Sequence, residues 1–179
     1  MEGSEARFIV DNMLGTLARW LRILGYDTLY SRDLEDWKIL RIAEEENRYI
    51  ITRDRGLHHR ALNKGLKTLY LWMDDLAERL AYIAMSSGIK LSVDFNATRC
   101  PEDNFPLRKV EKQSVRGKVP ERVFKLHEDF WECPRCGKIY WIGRHWKMIE
   151  KVLEEARMKL DENKRVIGKG VFNDGNTSG

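Results

Sequence analysis

"YIITRDRGL", residues 49–57, runs a stretch of apolar and aromatic side chains straight into Thr52, Arg53, Asp54 and Arg55, with Gly56 behind them. Tyr49, Ile50 and Ile51 suit a buried strand. A loop needing only solubility could follow that strand with almost any polar residues. A carboxylate between two arginines at that position asks for a more specific reason.

The same pattern repeats on both sides. Upstream, "RFIVD" (7–11) is a short apolar run rich in branched residues, and "MLGTLARWLRILG" (13–25) places Leu14, Leu17, Ala18, Leu21 and Leu24 on one helical face. "DTLYS" (27–31) is a weaker strand, followed by "EDWKILRIAEEE" with Trp37, Leu40, Ile42 and Ala43 at helical spacing. Downstream, a short helix ends near Gly65, "LKTLYLW" is a fourth strand, and "DDLAERLAYIAMSSG" is a fourth helix. This alternation predicts an α/β fold with a parallel sheet, covering helices and right-handed crossovers, over residues 1–95.

After Asn96 the character changes. Residues 104–125 hold seven basic residues against two acidic ones. "FWECPRCGKIYWIGRHW" (130–146) follows, dense in aromatics and carrying a Cys-x-x-Cys pair. From His145 the pattern is helical, with Trp146, Ile149, Leu153, Ala156 and Leu160 as the apolar stripe. Residues 96–165 therefore form an expected second module, and 166–179 an expected disordered tail.

The 179 residues are enough for a core without staples, with 42% hydrophobic and 34% charged residues. The net charge of +4 is too small to name a partner. No run of about 18 apolar residues and no secretory leader is visible, so a membrane span is not expected. Three cysteines form no closed disulfide set, which favours a reduced compartment, the cytoplasm, and metal binding.

In a parallel sheet the C-terminal strand ends share one edge, where ligands bind. Asp11 ends the first strand, Asp33 and Asp36 follow the second, and Asp54 follows the third. Each alone is also explained as a helix N-cap. Together they suggest a cluster of carboxylates that repel one another unless a cation neutralises them. Oxygen ligands suit Mg²⁺ or Mn²⁺, which can activate water for attack on a phosphodiester. Arg53 and Arg55 would meet phosphates, and Arg19 and Arg22 on the first helix would extend the basic surface. His58 and His59 read as surface residues.

"FIVDNMLGTLARWLRILGYDTLY", "SRDLEDWKILRIA" and "IITRDRGL" resemble, in order and spacing, the Mut-seven C-terminal RNase domain family, a PIN-like nuclease fold followed by a zinc ribbon. The resemblance spans about residues 7–148. It implies a metal-dependent ribonuclease with Asp11, Asp36 and Asp54 at its acidic site and Asp33 as an additional acid. The wider PIN superfamily commonly carries a glutamate on a helix between its first and later aspartates, whereas residues 13–26 contain no acid.

"CPRCG" (133–137) is a strong zinc-knuckle signal. The family usually supplies a second Cys-x-x-Cys about thirty residues earlier. Here that stretch is "RCPEDN" (99–104), with Cys100 present and Asp103 in place of the second cysteine. The expected zinc ligands are Cys100, Asp103, Cys133 and Cys136, with His127 and His145 as rival fourth ligands. Arg108, Lys109, Lys112 and His145 are the module's expected RNA contacts. The rival readings are a non-catalytic RNA- or ribosome-binding protein on the same fold, and a Mg²⁺-dependent phosphatase. Against the phosphatase, Asp11 is followed by Asn12 and Met13 rather than by an Asp-x-Asp pattern.

Overall fold

The computed structural model describes residues 5–170. Four short strands, β1 (Phe8–Val10), β2 (Thr28–Tyr30), β3 (Tyr49–Thr52) and β4 (Thr68–Tyr70), alternate with α1 (Gly15–Ile23), α2 (Asp36–Glu46), α3 (Arg55–Asn63) and α4 (Leu76–Ser87). The strands form one parallel sheet in the order β2-β1-β3-β4. Ile9 pairs with Ile50 and Val10 with Ile51. The two-residue strand period therefore sends Ile9 and Ile50 to one face, against Ile39, Ala43 and Leu57 of α2 and α3. Phe8, Val10 and Ile51 go to the other, against Leu17, Leu21, Leu80 and Ile83 of α1 and α4. Helices on both faces account for the apolar runs Phe8–Val10 of β1 and 49–51 of β3.

A second sheet is antiparallel, with β5 (Arg108–Val110), β6 (Phe130–Glu132) and β7 (Ile139–Trp141) in that order. A 3-10 turn (Lys112–Val115) and α5 (Glu121–Leu126) cover it around Val115, Val119 and Phe130. The last helix, α6 (His145–Gly170), follows this module in sequence. Its Leu153 and Ala156 are instead buried in the first core, where the helix packs along α4. Helical structure also continues through Gly170, into the stretch expected as a tail. Residues 171–179 lie outside the described residues.

Two side chains fasten the modules together. Arg22 of α1 is buried and donates to the carbonyls of Thr28, Pro101 and Glu102 at 2.9, 2.8 and 3.1 Å. Asn104 accepts the Thr28 amide at 2.9 Å and donates to Asp27 at 2.7 Å. Its φ of 68° is left-handed, a conformation that asparagine tolerates better than most residues. The loop carrying Cys100 and Asp103 is thus tied to β2.

Candidate functional site

β1 and β3 are central neighbours, and the chain leaves both at the same edge. Asp11, only 5% exposed, stands just beyond β1. Its Oδ2 accepts the Thr52 hydroxyl at 2.6 Å and the Arg53 amide at 3.2 Å, and its Oδ1 accepts the Met13 amide at 2.9 Å. Three donors compensate a carboxylate that burial would otherwise penalise. Thr52, fully buried at the end of β3, also accepts the Asp54 amide at 2.9 Å. One hydroxyl therefore sets the spacing of both strand ends. On the α1 side, the Tyr30 hydroxyl donates to the Asn12 carbonyl at 3.0 Å. A Cβ at Gly15 would stand 2.7 Å from that hydroxyl, so any side chain there would displace Tyr30.

Asp54 is exposed and caps α3, its Oδ1 accepting the Leu57 amide at 2.8 Å. Capping is therefore real at this position, and Oδ2 has no hydrogen-bond partner among the described residues. Asp36 sits in the first turn of α2, half-exposed, and is ion-paired with Arg60 of α3. Asp33 is exposed in the turn before α2. The edge thus links the Asp11 carboxylate to the Asp54 backbone through Thr52, while Asp36 is held by an arginine instead. Asp74, beyond the end of β4, pairs with Arg53 at 2.8 Å. The strand-end argument, carried to the fourth strand and its "DDL" sequence, would have found it. Its neighbour Asp75 is the N-cap of α4.

Arg55 is exposed and donates to the Tyr70 hydroxyl at 3.2 Å. His59 is exposed, whereas His58 is half-buried with Nδ1 3.0 Å from the Thr68 hydroxyl. Burial, then the neighbouring His59, lowers the His58 pKa.

Among the described residues, only one group of three or more Cys, His, Asp or Glu side chains brings all its ligand atoms within 4.8 Å of one another, and it can hold a metal ion. It is Cys100, Asp103, Cys133 and Cys136. The Cys100 and Cys136 sulfurs are 3.7 Å apart, and the Cys133 sulfur is 3.4 Å from both Asp103 oxygens. A tetrahedron with metal–sulfur bonds of about 2.3 Å has sulfur–sulfur edges of about 3.8 Å. Neither His127 nor His145 belongs to the group. Burial pushes the Cys133 thiol up to about 12, and a bound cation is what would make it a thiolate at neutral pH. Burial, then the Cys100 sulfur, pushes the Tyr140 hydroxyl up as well. It lies 3.1 Å from that sulfur, in reach to support it as a ligand.

A family model described as the Mut7-C RNAse domain matches residues 6–153. The chain belongs to this family. The match takes in both the strand-end aspartates and the cysteine group. No curated protein and no solved structure matches the chain.

The cations of this Mut7-C RNAse domain divide by environment. Arg22, expected on a basic surface, is buried with its donors on backbone carbonyls, so it cannot reach a phosphate. The segment 98–107 covers it, a contact invisible in the local helical spacing. Arg19 is exposed and pairs with Glu102 at 3.2 Å. Arg108, Lys109 and Lys112 pair with Glu132, Asp129 and Glu128 at 2.9, 2.7 and 2.5 Å. His145 is exposed at the start of α6.

Proposed function

We propose that the chain is a metal-dependent ribonuclease on a PIN-like fold, cleaving RNA phosphodiesters at the edge that carries Asp11 and Asp54. The observation supporting it most is the Thr52 bridge, which ties the Asp11 carboxylate to the backbone amide of Asp54 at adjacent central strand ends, beside Arg53 and Arg55. Mg²⁺ keeps several waters and takes one or two protein carboxylates, so Asp11 and Asp54 suffice as donors. Asp36 would add a third donor only if it left its ion pair with Arg60. When bound, Mg²⁺ or Mn²⁺ supplies Lewis acidity and neutralises charge at the scissile phosphate. Thr52 and the Arg53 amide orient Asp11. Asp54 Oδ2, without a hydrogen-bond partner among the described residues, would be the oxygen that takes the ion. Arg55, and Arg53 once drawn from Asp74, contact phosphate oxygens.

The cysteine group is proposed as a structural zinc site in a ribbon-like module. Three sulfurs favour zinc over magnesium, and the 3.7 Å between the Cys100 and Cys136 sulfurs is compatible with a tetrahedral edge. The unpaired thiols suit a reducing, cytoplasmic setting. Among the described residues no helix is long and apolar enough to cross a membrane.

A second reading, an RNA-binding protein without turnover, is favoured by the Asp36–Arg60 pair and by the lack of a three-acid group at the edge among the described residues. Labelled single-stranded RNA incubated with and without added Mn²⁺ separates the two. Cleavage that requires Mn²⁺ supports the enzyme. Binding without cleavage under both conditions supports the alternative.

A further inference from the structure

The cations at Arg108, Lys109 and Lys112 are each closed by an acid, yet another part of the same module is basic and open. A cleft of about 670 Å³ lies between α5 and the start of α6, against Trp141 of β7. Arg122, His127, Arg144 and His145 line it, and among the described residues no carboxylate does. Among those residues neither Arg122 nor Arg144 takes part in an ion pair or a side-chain hydrogen bond. Three other clefts that contain cations also contain acids. Glu102 accompanies Arg19 and Arg32, Asp27 and Asp103 accompany Arg48, and Glu78 and Glu162 accompany Lys159. The basic groove also carries large exposed apolar side chains, with Leu126 66% and Met148 58% exposed.

We infer that this α5–α6 groove binds single-stranded RNA, with Arg122 and Arg144 on phosphates and Trp141, Leu126 and Met148 against unstacked bases. The inference rests on the ribonuclease reading and adds to it the face that grips the substrate. Each half of the lining argues for one half of that ligand. Unpaired arginines with no competing carboxylate select a polyanion. An inorganic anion or an acidic peptide would leave the apolar lining without a partner. A duplex would keep its bases stacked inside, away from Leu126 and Met148. Single strands offer phosphate charge and exposed base faces together. The volume lies in the range of pockets that hold ligands larger than a single phosphate.

The test is a salt series of binding to a labelled single-stranded RNA, using the full chain without added divalent metal. Each phosphate contact contributes about 0.7 to the log–log salt slope for single strands, so Arg122→Ala with Arg144→Ala should flatten it by about 1.4. Leu126→Ser with Met148→Ser should weaken binding while leaving the slope unchanged. Arg108→Ala with Lys109→Ala should change the slope by less than one contact. All four side chains in the groove variants are on the surface, and unchanged thermal melts confirm intact folds. Wild-type binding with an unaltered slope in the Arg122/Arg144 variant would overturn the groove and leave the ribonuclease reading standing. No RNA binding by the wild-type chain would overturn the reading beneath it. Equal affinity for polyglutamate and RNA would overturn the assignment to single-stranded RNA.

Discussion

The Thr52 hydroxyl lies 2.6 Å from a carboxylate oxygen of Asp11, although 41 residues separate them in sequence. The Thr52 hydroxyl oxygen also accepts the Asp54 amide at 2.9 Å. A fully buried hydroxyl that both donates and accepts cannot be replaced by an isosteric apolar group without stranding a partner on each side. Thr52→Val should therefore lower stability by about 1–3 kcal/mol, read by urea unfolding, and reduce RNA cleavage with it. Thr52→Ser keeps the hydroxyl and should recover most of both. Equal stability of the valine and serine variants would show that the bridge does not matter.

Asp11→Asn has an expected sign opposite to that of a simple repelling cluster. If three bare carboxylates crowded one another, neutralising one would stabilise the chain. Asp11 instead accepts three donors while buried. An asparagine amide has one acceptor oxygen, and its NH₂ would face a backbone N–H. The variant should be less stable by about 1–3 kcal/mol. A melting temperature equal to or above wild type would indicate that carboxylate repulsion dominates at this edge.

Much of this arrangement was legible in the sequence, because periodicity and strand ends are local signals. Ile9, Ile50 and Ile51 mark strands, and Asp11 and Asp54 follow them at the edge a parallel sheet must share. The remainder depends on contacts between distant segments. Arg22, three residues after Arg19, looks like the same solvated face until the loop bearing Pro101 and Glu102 closes over it. Asp36 looks like a third ligand until α3 presents Arg60. The apolar stripe of α6 says that it packs, but not that its partner is α4.

The loop carrying the cysteines should be sensitive to metal. Asp103 holds the position of a fourth thiolate. Partial burial alone would raise its pKa, yet the Phe105 amide and the thiols hold it below the usual carboxylate value. The purified chain should carry one zinc, removed by chelator with a fall in melting temperature. Asp103→Cys should retain zinc against more chelator and melt higher, since metal bound only by the folded state stabilises it. Elemental analysis finding no zinc, in wild type and variant alike, would refute the assignment.

Asp27 should shape the acid limb of stability. Partial burial alone would raise its pKa, but Arg48, then Asn104, outweigh that and hold it well below the usual carboxylate range. A depressed folded value means stabilisation that is present above the unfolded pKa, about 3.9, and lost as pH falls toward the folded one. Asp27→Asn should thus be clearly less stable than wild type at neutral pH, with the gap narrowing below about pH 4. A gap independent of pH would mean that Asp27 acts through packing alone.

The central claim is that the edge carrying Asp11 and Asp54 cleaves RNA, and Asp54 is where it can be isolated. Asparagine is as good an N-cap as aspartate, so Asp54→Asn preserves the start of α3 while removing the charge. The decisive measurement is Mn²⁺-dependent cleavage of labelled RNA by wild type and Asp54→Asn, with thermal melts of both. The expected result is equal melting temperatures and no detectable cleavage by the variant. Cleavage at the wild-type rate by a fully folded Asp54→Asn would contradict the account, leaving Asp54 a helix cap and placing the chemistry elsewhere.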